Sequence, residues 1–286
     1  MDNVCIVAKY LDRGPGKLAW SLKNGFNKRG IQIVSRIEET DHVACLQWGD
    51  DWPDVNELLG KRALVGPNTW ESPSEKPEII AKLHDFIVPS QWVKDKHEQE
   101  PLMKDKQVHI WSGGIDTNTY APISGHKEVD CLIYLKNRST EDYDKLAAAI
   151  QTFYGPDAKL AIFEYGHYNE KDFHAAVQNS KMAILCTNTE SQGYAYMNML
   201  SANLPCLVFN KDTLVSRDGS KSWAATSVPY FDERCGVIEN DISADTIEKF
   251  VAMGRCWAPR EYILENHTID ISTDRYIELL TNARVL

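Results

Sequence analysis

The chain has 286 residues, of which 43% are hydrophobic and 25% charged, a composition typical of a globular protein with two modest α/β lobes or one large one. Its formal net charge of −10 disfavours an extended surface that neutralises nucleic-acid phosphates, and no apolar run approaches the roughly 18 residues that span a bilayer. Seven scattered cysteines without a C-x-x-C pair disfavour a disulfide framework and a zinc site, and the N-terminus lacks a secretory signal pattern, so we expect a cytoplasmic location.

The first part of the chain alternates short apolar runs with helical patterns. Residues 4–8 predict a buried strand, 11–17 a glycine-rich turn, and the helical pattern that follows ends near Gly30. Further strands are predicted at 42–47, 63–65, 85–88 and 108–111, and Ser90 is placed to cap a helix from Gln91 to about Glu98. This alternation predicts a parallel sheet with helices on both faces.

The pattern stops over residues 118–129, where turn formers without periodicity indicate a linker. It restarts with predicted strands at 130–135, 159–164 and 182–186, a helix beginning at Ser139 and another over 170–179. We therefore predict an α/β protein with two Rossmann-like lobes.

The most informative segment runs from Thr189 to Asn210. Its pattern predicts a polar loop, a helix that begins at Gly193, a break at Pro205 and a buried strand. Glu190 and the backbone N–H groups of that helix N-terminus form a natural seat for a phosphate attached to a hydroxyl-rich group.

This segment resembles the donor-binding segment of retaining glycosyltransferases with the two-lobed GT-B fold, the E-x7-E type of glycosyl transferases group 1. The matching order is Glu190-x-x-Gly193, a polar residue eight positions after the Glu, and then Leu204-Pro205. Asn198 stands where that family usually has its second Glu. The resemblance implies two parallel sheets that face a central cleft.

Three other segments carry the same resemblance in the expected order. Residues 14–17, Gly-Pro-Gly-Lys, look like the opening of the acceptor lobe; residues 112–122 look like the hinge signature; and residues 134–138 lie where the family has phosphate-binding basic residues. The resemblance implies an acceptor-side lobe over 1–122, a nucleotide-sugar-binding lobe over 123–260, and a C-terminal helix over 261–286 that crosses back to the first lobe.

The resemblance also implies roles for the donor-side residues. Glu190 would bind the donor sugar, although it could simply favour the helix dipole. Backbone N–H groups of Ser191, Gln192 and Gly193 would bind the diphosphate, and Asn198 would contact the ribose with one acceptor oxygen and no charge. Lys136 and Arg138 alternate, so on an extended segment both would point at the leaving β-phosphate and stabilise it without a metal.

Other candidates lie in the first lobe. Gly14 and Gly16 could admit a phosphate or acceptor, or could simply form a tight turn. Asp50, Asn68 and Trp70 each follow a predicted strand and are candidates for acceptor contacts, with packing as the alternative for each. The Walker pattern and Gly-x-Gly-x-x-Gly are both absent, which disfavours a P-loop enzyme and a nicotinamide dehydrogenase.

The sequence therefore predicts a hexosyl- or pentosyltransferase that moves a sugar from a UDP- or GDP-sugar to a glycan or other hydroxyl acceptor. We expect retention of configuration and no cofactor, and we expect no metal because we assign no Asp-x-Asp motif of the kind that holds a divalent metal in the other major glycosyltransferase fold. Three alternatives stay open: a nucleotide-sugar epimerase, a non-catalytic nucleotide-sugar or glycan-binding module, and, as a minor one, glycosylation of a nucleic-acid base. The negative net charge disfavours the nucleic-acid alternative without excluding it.

Overall fold

Short apolar runs form most strands of two parallel sheets in a computed structural model of the chain, and two further strands pair in a short antiparallel hairpin. The structure describes residues 1–8, 13–47, 54–68, 73–254 and 257–286. The strands are β1 (Asn3–Val7), β2 (Gln32–Val34), β3 (His42–Gln47), β4 (Arg62–Asn68), β5 (Asp85–Val88), β6 (Gln107–Ile110), β7 (Cys131–Lys136), β8 (Leu160–Glu164), β9 (Ala183–Thr187), β10 (Cys206–Phe209), β11 (Thr213–Val215), β12 (Ser222–Ala224) and β13 (Gly236–Glu239).

The helices cover the segments between most of these strands. They are α1 (Arg13–Lys28), α2 (Pro77–Ile80), α3 (Gln91–Glu98), α4 (Thr140–Tyr154), α5 (Glu170–Asn179), α6 (Tyr194–Ser201), α7 (Ala244–Ala252), α8 (Pro259–Asn266) and α9 (Ile269–Asn282). Short 3-10 helices occur at Ile37–Glu39, Val55–Leu58, Pro73–Glu75 and Pro101–Met103. No helix that the structure describes combines the length and apolarity needed to cross a membrane.

The chain divides into two units. Unit 1 contains residues 1–114 together with 267–286, and unit 2 contains residues 115–266. The divisions thus fall at 114 and 266, where the lobe bounds were predicted at 122 and 260. The helical segment predicted over 261–286 comprises the end of α8 in unit 2 and α9 in unit 1.

Unit 1 is built on a six-stranded parallel sheet in the order β2-β1-β3-β4-β5-β6. Helix α1 packs its apolar stripe into the core, since Leu18, Leu22 and Phe26 are all buried. The predicted turn over 11–17 is wrong where it overlaps this helix: Gly14 and Gly16 lie in its first turn. Proline and glycine are tolerated there because the first backbone N–H groups of a helix have no intrahelical partner.

Helix α9 completes the core of unit 1. Trp111, which follows β6, is buried, and its Nε1 donates a hydrogen bond of 2.8 Å to the Ser272 carbonyl. The Trp111 and Tyr276 rings meet edge to face with centroids 4.8 Å apart. Gly25 of α1 lies so close to α9 that an added Cβ would stand 1.8 Å from Thr273 Oγ1. Helix α9 thus lies within the C-terminal helical segment predicted over 261–286.

Unit 2 is built on a five-stranded parallel sheet in the order β13-β10-β9-β7-β8. Alternate residues of its strands pack on opposite faces. Leu132, Leu185 and Val208 pack with residues of α5 and α6, whereas Ile133 and Ile184 pack with residues of α4 and α7. The β11–β12 hairpin follows β10 and was not predicted.

Candidate functional site

Polar and charged groups gather at one edge of the unit 2 sheet. Because β7, β9 and β10 are parallel, their carboxyl ends meet at the same edge, which is where ligands bind in open α/β sheets. Lys136 ends β7 and Thr187 ends β9. The loop after Thr187 carries Glu190 and leads into α6. This edge therefore brings together Lys136, Glu190 and the N-terminus of α6.

Lys136 and Glu190 form an ion pair at this edge. Lys136 Nζ lies 2.8 Å from Oε1 and 2.9 Å from Oε2 of Glu190, with 22% and 10% of the two side chains exposed. Burial raises the pKa of the Glu190 carboxyl, and the ammonium of Lys136 opposes that rise. The Nζ also lies 4.4 Å from the centroid of the Tyr165 ring, which gives a cation–π contact.

The Glu190 loop is held in place by the segment that follows the hairpin. The backbone N–H of Glu190 donates to the Thr226 carbonyl at 2.9 Å. The next residue, Ser227, is buried and donates its hydroxyl to the Thr187 carbonyl at 2.9 Å. These two bonds fix the position of Glu190 at the end of β9 independently of its ion pair.

Helix α6 begins at Gly193, which occupies the left-handed region with φ 81° and ψ 46°. A Cβ at this position would stand 1.9 Å from Tyr196 Cε1, so only glycine fits under that ring. No side chain caps the helix. Because the chain runs from the end of β9 through Glu190 into α6, the N-terminus of α6 and the positive end of its dipole lie at the edge that holds Lys136 and Glu190.

The other two residues of the predicted diphosphate loop differ in exposure. Ser191 is exposed. Gln192 is buried, and its Nε2 lies 3.4 Å from Met197 Sδ, so its side chain points into unit 2. A diphosphate contact by Gln192 would thus use its backbone and not its amide side chain.

Arg138 does not share the direction of Lys136, and the expected parallel orientation is wrong. Asn137 between them has φ 52°, which ends the extended segment. The Arg138 guanidinium donates to Asp142 at 2.8 Å and to the carbonyls of Thr187 and Phe209 at 3.1 and 3.0 Å. Only 4% of its side chain is exposed, so it joins the ends of β9 and β10.

Asn198 is buried on α6, with 4% of the residue exposed. Its side chain lies beside the Tyr120 hydroxyl, which donates to Glu170 Oε2 at 3.4 Å. The structure therefore places the amide of Asn198 against another protein side chain. The predicted ribose contact stays a prediction.

The remaining predicted residues belong to unit 1 or lie outside the described residues. Gly14 and Gly16 open α1, and nothing lies within 4 Å of a Cβ added at Gly14. Asn68 ends β4, and its buried Nδ2 has no hydrogen-bond partner among the described residues. Asp50 and Trp70 lie outside the described residues.

Two residues of the unit 2 edge and one residue elsewhere in unit 2 were not predicted from the sequence. Tyr165 follows the end of β8 and could have been found by the rule applied to the other strand ends. Thr187 was missed because β9 was predicted to end one residue earlier; its buried Oγ1 has no partner among the described residues. Arg260 donates to the carbonyls of Thr117 and Ser201, which no local pattern reveals.

A metal site is not formed by protein side chains within the described ranges. No group of three His, Cys, Asp or Glu residues there is arranged to hold an ion. Metal independence stays a prediction. The sequence has one Asp-x-Asp triplet, Asp142-Tyr143-Asp144, which lies in α4, where Asp142 accepts a hydrogen bond from Arg138 at 2.8 Å.

No protein-family model and no curated protein matches the sequence. Solved structures do match. Sucrose-phosphate synthase from Thermosynechococcus elongatus is similar to this chain with a TM-score of 0.60, over 98% of each chain, at 9% identity. WaaG, a glycosyltransferase involved in lipopolysaccharide biosynthesis, has a TM-score of 0.53 over 98% of this chain and 100% of its own, at 11% identity.

The lipopolysaccharide outer core galactosyltransferase WaaB, in its apo form, has a TM-score of 0.52 over 98% of this chain and 99% of its own, at 11% identity. The chain has the GT-B fold. These matches span nearly the whole chain, which contains two parallel sheets. They confirm the predicted fold class. Identities this low concern the fold alone, so the roles of individual residues rest on the geometry described above.

Proposed function

We propose that this chain is a glycosyltransferase that moves a sugar from a nucleotide-diphosphate donor to a hydroxyl acceptor. The observation that carries the proposal is the Lys136–Glu190 pair beside the N-terminus of α6, which no side chain caps, in a chain with the GT-B fold. A cation and a helix N-terminus together favour a diphosphate, and a neighbouring carboxylate can accept hydrogen bonds from sugar hydroxyls.

The reaction needs one bond to break and one to form at the anomeric carbon. The bond between that carbon and the β-phosphate oxygen breaks, and the acceptor hydroxyl oxygen forms the new bond. The acceptor's proton goes to an oxygen of the departing diphosphate. Lys136 and the dipole of α6 stabilise the negative charge that develops on that diphosphate. Retention of configuration is inferred from the sequence resemblance, and the proposal assigns no metal or cofactor.

Glu190 has a different role from Lys136 in this proposal. When the diphosphate attracts the Lys136 ammonium, the Glu190 carboxylate loses part of its partner and gains sugar hydroxyls as donors. Tyr165 lies beside the same ammonium and is 38% exposed, so its ring offers a face for the nucleobase or the sugar. Asp50, Asn68 and Trp70 remain the proposed acceptor-side residues.

Nucleotide binding is the first test. UDP, GDP and UMP are titrated against the protein in a thermal-shift assay, since a ligand at about 100 times its Kd stabilises the native state by about 2.7 kcal/mol. One of the two diphosphates should raise Tm, and Lys136→Ala should raise the Kd for that diphosphate about tenfold. Lys249→Ala removes an exposed lysine of α7 and serves as the matched control. If neither diphosphate stabilises the native protein, the donor site is wrong.

A non-catalytic nucleotide-sugar-binding module is the second candidate, and Asn198 favours it. Asn198 stands where the family pattern has an acidic residue, and its amide lies beside the Tyr120 hydroxyl. Release of UDP or GDP from a panel of nucleotide sugars, measured with and without glycan acceptors, separates the two candidates. Diphosphate binding without turnover across the panel would favour the module.

A further inference from the structure

The loop that carries Glu190 rests on two residues, Thr226 and Ser227, that follow the β11–β12 hairpin. The Glu190 N–H donates to the Thr226 carbonyl at 2.9 Å. The Ser227 hydroxyl donates to the Thr187 carbonyl and accepts from the Lys211 N–H, both at 2.9 Å. The bond between Glu190 and Thr226 joins two backbones, so it persists when a ligand engages the Glu190 carboxylate.

The amide side chain of Asn210 holds these two residues in place. Asn210 directly follows β10, and its Oδ1 accepts from the Ser227 N–H at 2.9 Å and from the Thr226 hydroxyl at 3.1 Å. Its Nδ2 donates to Asn240 Oδ1 at 3.1 Å. Asparagine suits this position because its amide accepts hydrogen bonds at one atom and donates them at the other.

The same hydrogen bonds continue to the base of the hairpin. Asn240 Nδ2 donates to Asp212 Oδ2 at 3.1 Å, and the Ala225 N–H donates to the Asp212 carbonyl at 2.8 Å. Asp212 directly precedes β11 and Ala225 directly follows β12. If Asn210 served the hairpin alone, its loss would not distinguish one ligand of the donor site from another.

Donor binding makes the backbone contact of Glu190 more important. In the proposed function the diphosphate attracts the Lys136 ammonium, which lies 2.8 Å from Glu190 Oε1. The carboxylate then loses part of its ion pair, while the bond from the Glu190 N–H to Thr226 still holds the loop. A carboxylate that accepts from sugar hydroxyls needs a fixed backbone, because a small displacement weakens all of its hydrogen bonds together.

We propose that Asn210 is a positioning residue of the donor site, which acts through Thr226 on Glu190 and thereby on the donor sugar. The inference rests on the proposed function, in which Glu190 contacts the sugar and Lys136 contacts the diphosphate. Loss of the Asn210 amide therefore weakens the binding of nucleotide sugars and leaves the binding of nucleoside diphosphates almost unchanged.

Isothermal titration calorimetry measures this difference as the ratio of the Kd of a nucleotide sugar to the Kd of its nucleoside diphosphate. UDP is compared with UDP-glucose, UDP-galactose and UDP-N-acetylglucosamine, and GDP is compared with GDP-mannose. Asn210→Leu removes the hydrogen bonds and should raise the ratio about tenfold, with less than about a twofold change in the Kd of UDP or GDP. Asn210→Asp keeps both acceptor bonds and should keep the ratio within about threefold of the native value.

Another asparagine provides the matched control. Asn3 in unit 1 also joins two segments, since its Nδ2 donates to the Glu39 carbonyl at 3.1 Å and its Oδ1 accepts from the Thr40 hydroxyl at 2.9 Å. Asn3→Leu should leave the Kd ratio unchanged. Should Asn210→Leu not fold, Thr226→Val removes the hydroxyl that donates to Asn210 and should raise the ratio about threefold.

Amide hydrogen exchange tests the link to Glu190 without any ligand. Mass spectrometry follows exchange in the peptide that contains the Glu190 amide. Asn210→Leu should speed this exchange about tenfold, because the Thr226 carbonyl is no longer fixed, whereas Asn3→Leu should keep the native rate.

The outcomes separate this inference from the proposed function. Unchanged exchange at Glu190 in Asn210→Leu would overturn the inference, and so would an unchanged Kd ratio for a nucleotide sugar that the native protein binds. Binding of UDP or GDP without any of their sugars would also overturn it, since Glu190 would then have no sugar to contact. If the native protein binds none of these nucleotides, the proposed function itself fails and the inference fails with it.

Discussion

Lys136 Nζ lies within hydrogen-bonding distance of both carboxylate oxygens of Glu190, so a single ion pair joins the end of β7 to the loop after β9. Both side chains are largely buried. A buried charge that loses its partner keeps its desolvation cost without any compensating attraction. The two residues that we propose bind the donor are therefore also residues whose separate loss should destabilise the fold.

Removing one member of this pair should destabilise the protein more than removing both. We expect Lys136→Met to lower the free energy of unfolding at pH 7 by about 3 kcal/mol, and the double variant with Glu190→Gln to recover at least half of it. Urea denaturation measures both. Lys145→Met is the control, because its pair with Asp241 is exposed and should contribute less than about 1 kcal/mol. Additive losses in the double variant would contradict this prediction.

Gly193→Ala should be costly for two separable reasons. Alanine must adopt a φ of 81°, and its Cβ must displace the Tyr196 ring. Gly30→Ala has a similar φ of 69° with nothing within 4 Å, so it isolates the backbone cost of about 1 kcal/mol. We expect at least about twice that loss for Gly193→Ala. Equal values in thermal denaturation would mean that the Tyr196 ring moves aside easily.

Arg138 should act mainly on stability. We expect Arg138→Met to lower the free energy of unfolding by about 3 kcal/mol, because Asp142 and two strand-end carbonyls lose their donor. Arg138→Lys keeps the positive charge but not the planar guanidinium, and it should lower the free energy of unfolding by less than Arg138→Met does. Chemical denaturation and UDP or GDP titration are compared for both variants. If Arg138→Met has native stability but no longer binds UDP or GDP, the result would instead support the predicted phosphate-binding role of Arg138.

Asn198→Glu introduces the residue usual in the family that the sequence resembles, but it should not improve binding in this chain. The new carboxylate would be buried beside the Tyr120 hydroxyl, which already donates to Glu170. Burial would raise its pKa, so we expect a loss of about 2 kcal/mol at pH 7 that shrinks towards pH 5 as the carboxyl is protonated. Asn198→Gln is the neutral control. A clear gain in UDP or GDP affinity would instead support the ribose contact.

Acid should destabilise the protein through buried histidines. Burial lowers the pKa of His267 from 6.5 to about 4, so below pH 6.5 the unfolded state binds a proton that the folded state does not. Stability is therefore lost as the pH falls from 6.5 to 4, by about 3 kcal/mol for this group. His267→Asn should lose less stability than the native protein over this range. His126→Asn, at an exposed position, should follow the native pH profile.

Much of the fold could be predicted because its elements carry strong local patterns. The apolar run at 85–88 is β5, and the helices predicted at 91 to about 98 and at 170–179 are α3 and α5. Ser139 was predicted to start a helix, and its side chain accepts from the Asp142 N–H at the start of α4. Short-range hydrophobic periodicity and local helix starts mark these elements, so neighbours in sequence are sufficient to find them. Ser90 does precede α3, but its side chain makes no capping hydrogen bond, so that part of the prediction is wrong.

The parts that were missed depend on single dihedral angles or on distant neighbours. One left-handed residue, Asn137, turns Arg138 away from Lys136, and residue types alone do not reveal it. The pairing of Lys136 with Glu190 depends on β7 lying next to β9 in the sheet. The hairpin strands β11 and β12 have three residues each, too few for an alternating pattern to be recognised.

Unit 1 is assembled from two stretches of chain, and α9 belongs to the second. During synthesis, all of residues 115–266 emerge before the helix that covers Trp111 and packs on Gly25 exists. Unit 1 can therefore complete its fold only after the whole of unit 2 has been synthesised. Although the strands of unit 1 are synthesised first, the part of its core that packs against α9 forms only after all of unit 2 has been synthesised.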